Sequence, residues 1–278
     1  MRATASAGYE VVLKPRKGWQ PVDCREIWRY RDLLAILVMR DIRIRYKQTL
    51  LGGLWAVLQP LLGMVIFSLF FNKLAGIQSG GPPYPLFSFT GLVLWTFFTN
   101  SVSMSSNSLV GNQSLVSKIY FPRVFIPMAS VLALLLDVAV CLLLLIVMLF
   151  AYGWPVRPGF LLVPLYVFGS LLAASGLGLF FSALNVRFRD VKYAVPFLIQ
   201  MALFVTPVIY PASYVPPAYR LFLALNPMAG MIEGFRAATF GSAPNWDLVI
   251  ISGVFCFLLF VAGLFFFRRQ ERFFADII

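Results

Sequence analysis

What most constrains this chain is a series of long apolar runs. Six segments, roughly Leu54–Phe71, Leu86–Ser106, Val124–Tyr152, Phe160–Leu184, Tyr193–Pro211 and Leu248–Phe267, approach or exceed the length of a bilayer crossing, and Asp137 is the only charged residue in any of them. A crossing helix needs about 20 apolar residues at 1.5 Å rise each. Hydrocarbon offers no partners to backbone N–H and C=O groups, so such runs must satisfy themselves as helices. The chain therefore reads as an all-α integral membrane protein with six transmembrane helices. Composition agrees: 60% hydrophobic and 12% charged over 278 residues is more apolar surface than a soluble domain of that length can hide.

The cations set the orientation. With six spans both termini share one side, and only Lys73, Arg157, Arg220 and Arg236 of the 23 Lys and Arg fall on the other. Positive charge marks the cytoplasmic face, so both termini are expected there. The net charge of +12 then needs no nucleic-acid partner. Leu221–Phe240 is apolar too, but it holds Asn226, Pro227, Glu233 and Arg236. A seventh span there would bury those charges and move the basic C-terminal tail outside. It reads instead as an outer re-entrant helical hairpin between spans five and six. The Pro-rich PASYVPPAYR ahead of it and Asn226-Pro227 within it break the helix. Glu233 and Arg236, three residues apart, are predicted to pair on one face.

Ahead of the first span lies RDIRIRYKQTLLGGLWAVLQP, residues 40 to 60. Positions 36, 40, 43 and 47 share a helical face carrying three cations, with Leu34, Leu37, Val38 and Ile44 roughly opposite. That pattern predicts an amphipathic helix in the headgroup plane. The alternation of IRIRY weakens the helix after Asp41, and Thr49, Gly52 and Gly53 suggest a hinge. The organisation is thus a cytoplasmic arm (1–28), an interfacial segment (29–52) and a six-span domain (53–278). The first 30 residues hold no apolar run, so the first span is expected to act as the insertion signal.

Two further segments stand out. GNQSLVSKIYFPR, residues 111 to 123, suits a short helix capped by Asn112 or Ser114 and stopped by Pro122, a handle for a cytoplasmic partner. NVRFRDVKYA, residues 185 to 194, carries three cations and one acid and reads as a topology signal. Asp137, alone within its span, suits a hydrogen bond at a helix interface better than a proton relay. There is no histidine, and Cys24, Cys141 and Cys256 are too scattered for a disulfide frame or a metal site. No G-x-x-x-x-G-K-[ST], G-x-S-x-G or H-E-x-x-H is present. The chain is not expected to be an enzyme or to hold a cofactor.

RDIRIRYKQTLLGGLWAVLQP before the first span, S-L-V-x-K-x-x-F-P after the second, NVRFRDV after the fourth and the late LNPMAGMIEGFRAATFG resemble the permease subunit of type-2 ABC exporters of polysaccharides and polyol phosphates. The resemblance runs from about residue 28 to 275. It implies a homodimer driven by two cytoplasmic ATPase subunits, which would bind ATP and Mg, moving a lipid-linked glycan of the O-antigen, capsule or teichoic-acid kind across the bacterial inner membrane. It implies that residues 29–52 form an interface helix and gate loop, with Arg40, Arg43 and Arg45 facing the ATPase and Tyr46 and Gln48 at the pore mouth. It implies that Ser114, Lys118, Tyr120 and Arg123 belong to a coupling helix, and that Glu233 and Arg236 lie in outer re-entrant helices. Aromatic faces suit sugar C–H faces, so Trp55, Trp95, Phe97, Phe98, Phe204 and Tyr210 are candidate substrate-path residues. The competing readings are an ion-coupled secondary transporter, which usually carries more intramembrane charge and repeat symmetry, and a membrane-embedded transferase using Asp190 or Asp247.

Overall fold

A computed structural model of the chain describes residues 28–47, 53–118, 121–271 and 274. Among them there is no strand. The helices are α1 (Arg31–Tyr46), α2 (Leu54–Phe67), α3 (Tyr84–Gly111), α4 (Gln113–Lys118), α5 (Phe125–Ala133), α6 (Leu135–Ala151), α7 (Val163–Arg187), α8 (Val191–Val205), α9 (Arg220–Ala224), α10 (Pro227–Phe240) and α11 (Trp246–Gln270). α2 continues as a wider π-helical stretch through Ser68–Leu74, α5 and α6 are separated by a single bent residue, Leu134, and a 3-10 turn leads into α7.

Five of these stretches are long and apolar enough to cross a membrane: Leu54–Leu74, Tyr84–Gly111, Phe125–Ala151, Pro158–Arg187 and Trp246–Gln270. They match five of the six expected spans. The remaining one is shorter than its apolar run. α8 has 15 residues, about 22 Å of helix, and Thr206 leaves the helical conformation before Pro207 and Pro211. Proline disfavours helix in the residue before it and cannot donate to a helix ladder, so an apolar stretch does not become a full-length helix here.

α3 is the hub. Within their crossing windows, 78% of α3 is buried inside the chain against 11% of α2. The core aromatics Phe89, Trp95, Phe97 and Phe98 therefore pack inward, with α2 left on the periphery. The tightest approach joins α7 to α11. A Cβ added at Gly263 would sit 2.0 Å from the Gly176 carbonyl oxygen, so these backbones meet with no room for a side chain. Small residues permit such close crossings where lipid gives helices no hydrophobic reason to associate. α10 is almost wholly buried. Asn226 caps it by accepting from the Met228 N–H at 3.0 Å, Pro227 occupies its first turn, and Gly241 closes it with φ of 73°. Leu221–Phe240 is thus two helices broken at Asn226-Pro227, as its sequence predicts.

Candidate functional site

α1 remains helical through IRIRY, so the predicted weakening after Asp41 does not occur. Tertiary contacts decide it. Asp41 accepts from the Ser130 hydroxyl on α5 at 3.0 Å, and Arg45 and Tyr46 both reach Asp137 in the first turn of α6. The two ties run in the same direction along both chains, so α1 lies alongside the α5–α6 rod. Leu37 is buried on this seam, while Ile36, Met39, Arg43 and Ile44 remain exposed. Ile44, expected among the packed residues, is on the outer side. Arg45 falls on the packed side, apart from the exposed cations.

The joint at Asp137 is compact. Arg45 Nη2 lies 2.6 Å from Asp137 Oδ2, Tyr46 Oη donates to Oδ1, and Arg45 Nη1 reaches the Met104 sulfur at 3.1 Å. Burial first, and then the Asp137 carboxylate, raise the Tyr46 phenol above its ordinary range, so it remains a donor. One turn further on, the Cys141 thiol meets the Ala56 carbonyl at 3.3 Å, bringing the start of α2 to the same level. Asp137 and Cys141 also line a small cleft with Ala56 and Asn100, and the Asn100 amide donates to Gln59 at 3.4 Å. Two charges so desolvated are tolerated only when paired and hydrogen-bonded. The lone acid was a legible signal that a partner existed. That the partners are Arg45 and Tyr46, 92 and 91 residues earlier, was not legible.

At the other end of the bundle Arg236 is buried. Its Nη1 and Nη2 donate to the carbonyls of Pro207 and Val208, both at 2.6 Å, and its Nε to Phe87 at 3.3 Å. Its guanidinium stacks 3.5 Å from the Phe87 ring centroid. The predicted pair with Glu233 is present but long, at 3.9 Å. Arg236 is therefore chiefly a clamp on the turn after α8. The planar guanidinium fork can bond several carbonyls at once, which an ammonium cannot do in this geometry.

The other candidates are dispersed. Arg40 pairs with its neighbour Asp41 at 2.8 Å, and Arg43 is exposed. Ser114 lies exposed on α4, and the backbone of Lys118 ends that helix. The predicted cap at Asn112 turns backward, its amide donating to the Ser108 carbonyl at 2.8 Å and closing α3. Arg123 reaches the backbone carbonyl of Glu271 at 3.0 Å, tying the loop to the end of α11. Trp55 is exposed, whereas Trp95 and Phe98 form a ring pair inside the bundle. Phe97 is buried beside them and Phe204 is exposed on α8. Tyr210 donates to the Phe204 carbonyl at 3.2 Å, closing the end of α8. Gln48, Thr49, Gly52, Tyr120 and the arm before residue 28 lie outside the described residues.

A helical bundle with five stretches long and apolar enough to cross a membrane, a basic helix keyed to one of them and a buried arginine clamp at its far end is that of a multi-pass membrane protein. The chain belongs to the ABC-2 type transporter family, whose model matches residues 32–240. It is 33% identical over 258 residues to an O-antigen export system permease protein, RfbA, of Myxococcus xanthus, covering 91% of this chain and 98% of that one. It is 30% identical over 248 residues to a protein of the same name from Klebsiella pneumoniae, covering 89% and 95%. It is 25% identical over 238 residues to the polysialic acid transport protein KpsM of Escherichia coli, covering 85% and 92%.

Proposed function

We propose that this chain is the membrane-spanning subunit of an ATP-driven exporter. It moves a lipid-linked polysaccharide from the cytoplasmic side across the bacterial inner membrane. The observation that carries this reading is full-length similarity to O-antigen export permeases, 91% of this chain against 98% of the relative. In this reading two copies form the pathway, and two cytoplasmic ATPase subunits bind ATP and Mg and supply the energy. α8 with the following turn makes the sixth crossing, both termini are cytoplasmic, and α9–α10 is the outer re-entrant hairpin. The exposed periphery of α2 is compatible with burial against a second copy.

The mechanism runs through the joint. ATPase closure presses on α4 and on the exposed cations of α1. Because Arg45 and Tyr46 are bound to Asp137, α1 carries the α5–α6 rod with it and displaces the Tyr46 end from the cytoplasmic mouth. On this reading Tyr46 is held shut by Asp137 until the ATPase moves.

The purified chain alone should hydrolyse no ATP, and adding its ATPase subunit should restore ATP-dependent glycan export in proteoliposomes. Export driven by a proton or sodium gradient without ATP would establish the ion-coupled alternative instead. Joint substitution of Lys118 and Tyr120 should leave insertion and ATP hydrolysis intact but abolish export. Unchanged export would remove this loop from the coupling path.

A further inference from the structure

The turn between α7 and α8 has a surface that the transport reading does not use. Arg187, Arg189 and Lys192 are all exposed, and among the described residues none forms an ion pair, even with Asp190 between them. Two exposed rings are interleaved with these cations. The Arg187 guanidinium lies 5.3 Å from the Phe188 ring centroid and the Lys192 ammonium 5.8 Å from that of Tyr193. Phe188 and Tyr193 are 52% and 75% exposed.

This patch is continuous with an apolar stripe. On α8, Val191, Val195, Ile199 and Ala202 lie on the packed side. Tyr193, Phe197, Met201 and Phe204 fall on the opposite side at helical spacing, and the last three are 61%, 45% and 59% exposed. The stripe rises from the cations along a helix that stands beside α3 in the bundle. A water-soluble protein docked on the cations would leave that stripe uncovered. A single molecule with an anionic head and a long apolar chain covers both.

We infer that Arg187, Arg189 and Lys192 bind the phosphate of an anionic membrane phospholipid, with one acyl chain lying along Tyr193, Phe197, Met201 and Phe204. Guanidinium and ammonium donors form charge-assisted hydrogen bonds to phosphate oxygens. Amphipathic rings at this level suit the membrane–water boundary. The site concerns the bilayer's own lipid and does not depend on which cargo the transporter carries.

The test uses the purified full chain in neutral detergent, titrated with phosphatidylglycerol or phosphatidylcholine and read by native mass spectrometry. The chain should retain phosphatidylglycerol preferentially. Basic residues near an anionic headgroup contribute about fivefold in binding each, so Arg187→Gln, Arg189→Gln and Lys192→Gln together should erase the preference, by on the order of 100-fold at most. A charge-matched control, Arg29→Gln with Arg31→Gln and Arg43→Gln, should keep it. Phe197→Ala with Phe204→Ala should weaken long-chain phosphatidylglycerol more than a dihexanoyl form. All of these residues are exposed, and an unchanged melting temperature shows that folding is intact. Equal losses in the triple variant and its control would reduce the effect to net charge and overturn the site. Intact lipid preference with lost ATPase assembly would assign the surface to protein and overturn it as well.

Discussion

Replacing Asp137 with Asn tests the joint most directly. The side chains of Arg45 and Asp137 are 24% and 11% exposed, so this pair is largely withdrawn from water. Removing one member of a buried pair costs about 3–5 kcal/mol, mostly because the other charge is stranded. The amide oxygen of the Asp137→Asn variant would still accept from Tyr46, and Arg45 keeps some solvent, so about 2–4 kcal/mol is expected, below the full range for a buried pair. The double variant Arg45→Met with Asp137→Asn strands no charge. It should therefore cost less than the sum of the two single variants, by about 1.5 kcal/mol or more. Apparent unfolding free energies in mixed micelles give the four corners of this cycle. Paired proteoliposome assays should show Asp137→Asn losing export more than ATP hydrolysis. Additivity of the single variants within about 0.5 kcal/mol, with export unimpaired, would refute the joint as a mechanical link.

Other substitutions probe the packing. Gly263→Ala drives a Cβ into the Gly176 backbone, while Gly253→Ala meets only the Met231 methyl at 3.7 Å. The first should cost about 1–3 kcal/mol or more and broaden the size-exclusion profile, whereas the second should be close to neutral. Arg236→Lys retains charge but not the planar fork, and should lose about 2–4 kcal/mol through its carbonyl contacts. Faster proteolysis in residues 206–219 would report that loss, and wild-type resistance would argue against the clamp. Asn226→Ala removes the cap of α10 and the 2.9 Å bond from Asn226 to Thr206. The cap alone is worth about 1 kcal/mol, measurable in the same micelle assay.

Much of the architecture was legible along the chain. Apolar run length located five crossing helices, because an isolated backbone in hydrocarbon has one local solution. Asn226-Pro227 marked the break before α10, because a cap and a missing N–H are local chemistry. The places where the structure departs from the local pattern share one cause. The alternation in IRIRY suggested a weak helix end, yet Asp137 and Ser130 hold that end helical from another segment. Tyr193–Pro211 is apolar to its end, but its helix stops at Val205, where the Arg236 clamp holds the Pro207 and Val208 carbonyls. Hydropathy and periodicity are properties of neighbours in sequence, so the sequence by itself determined the helical membrane class and the number of crossing helices to within one. Which charge meets which, and that Asp137 joins α1 to the third crossing, depends on how helices stack. Only the tertiary structure decides it, because such pairs are chosen by packing geometry across some 90 residues of intervening chain.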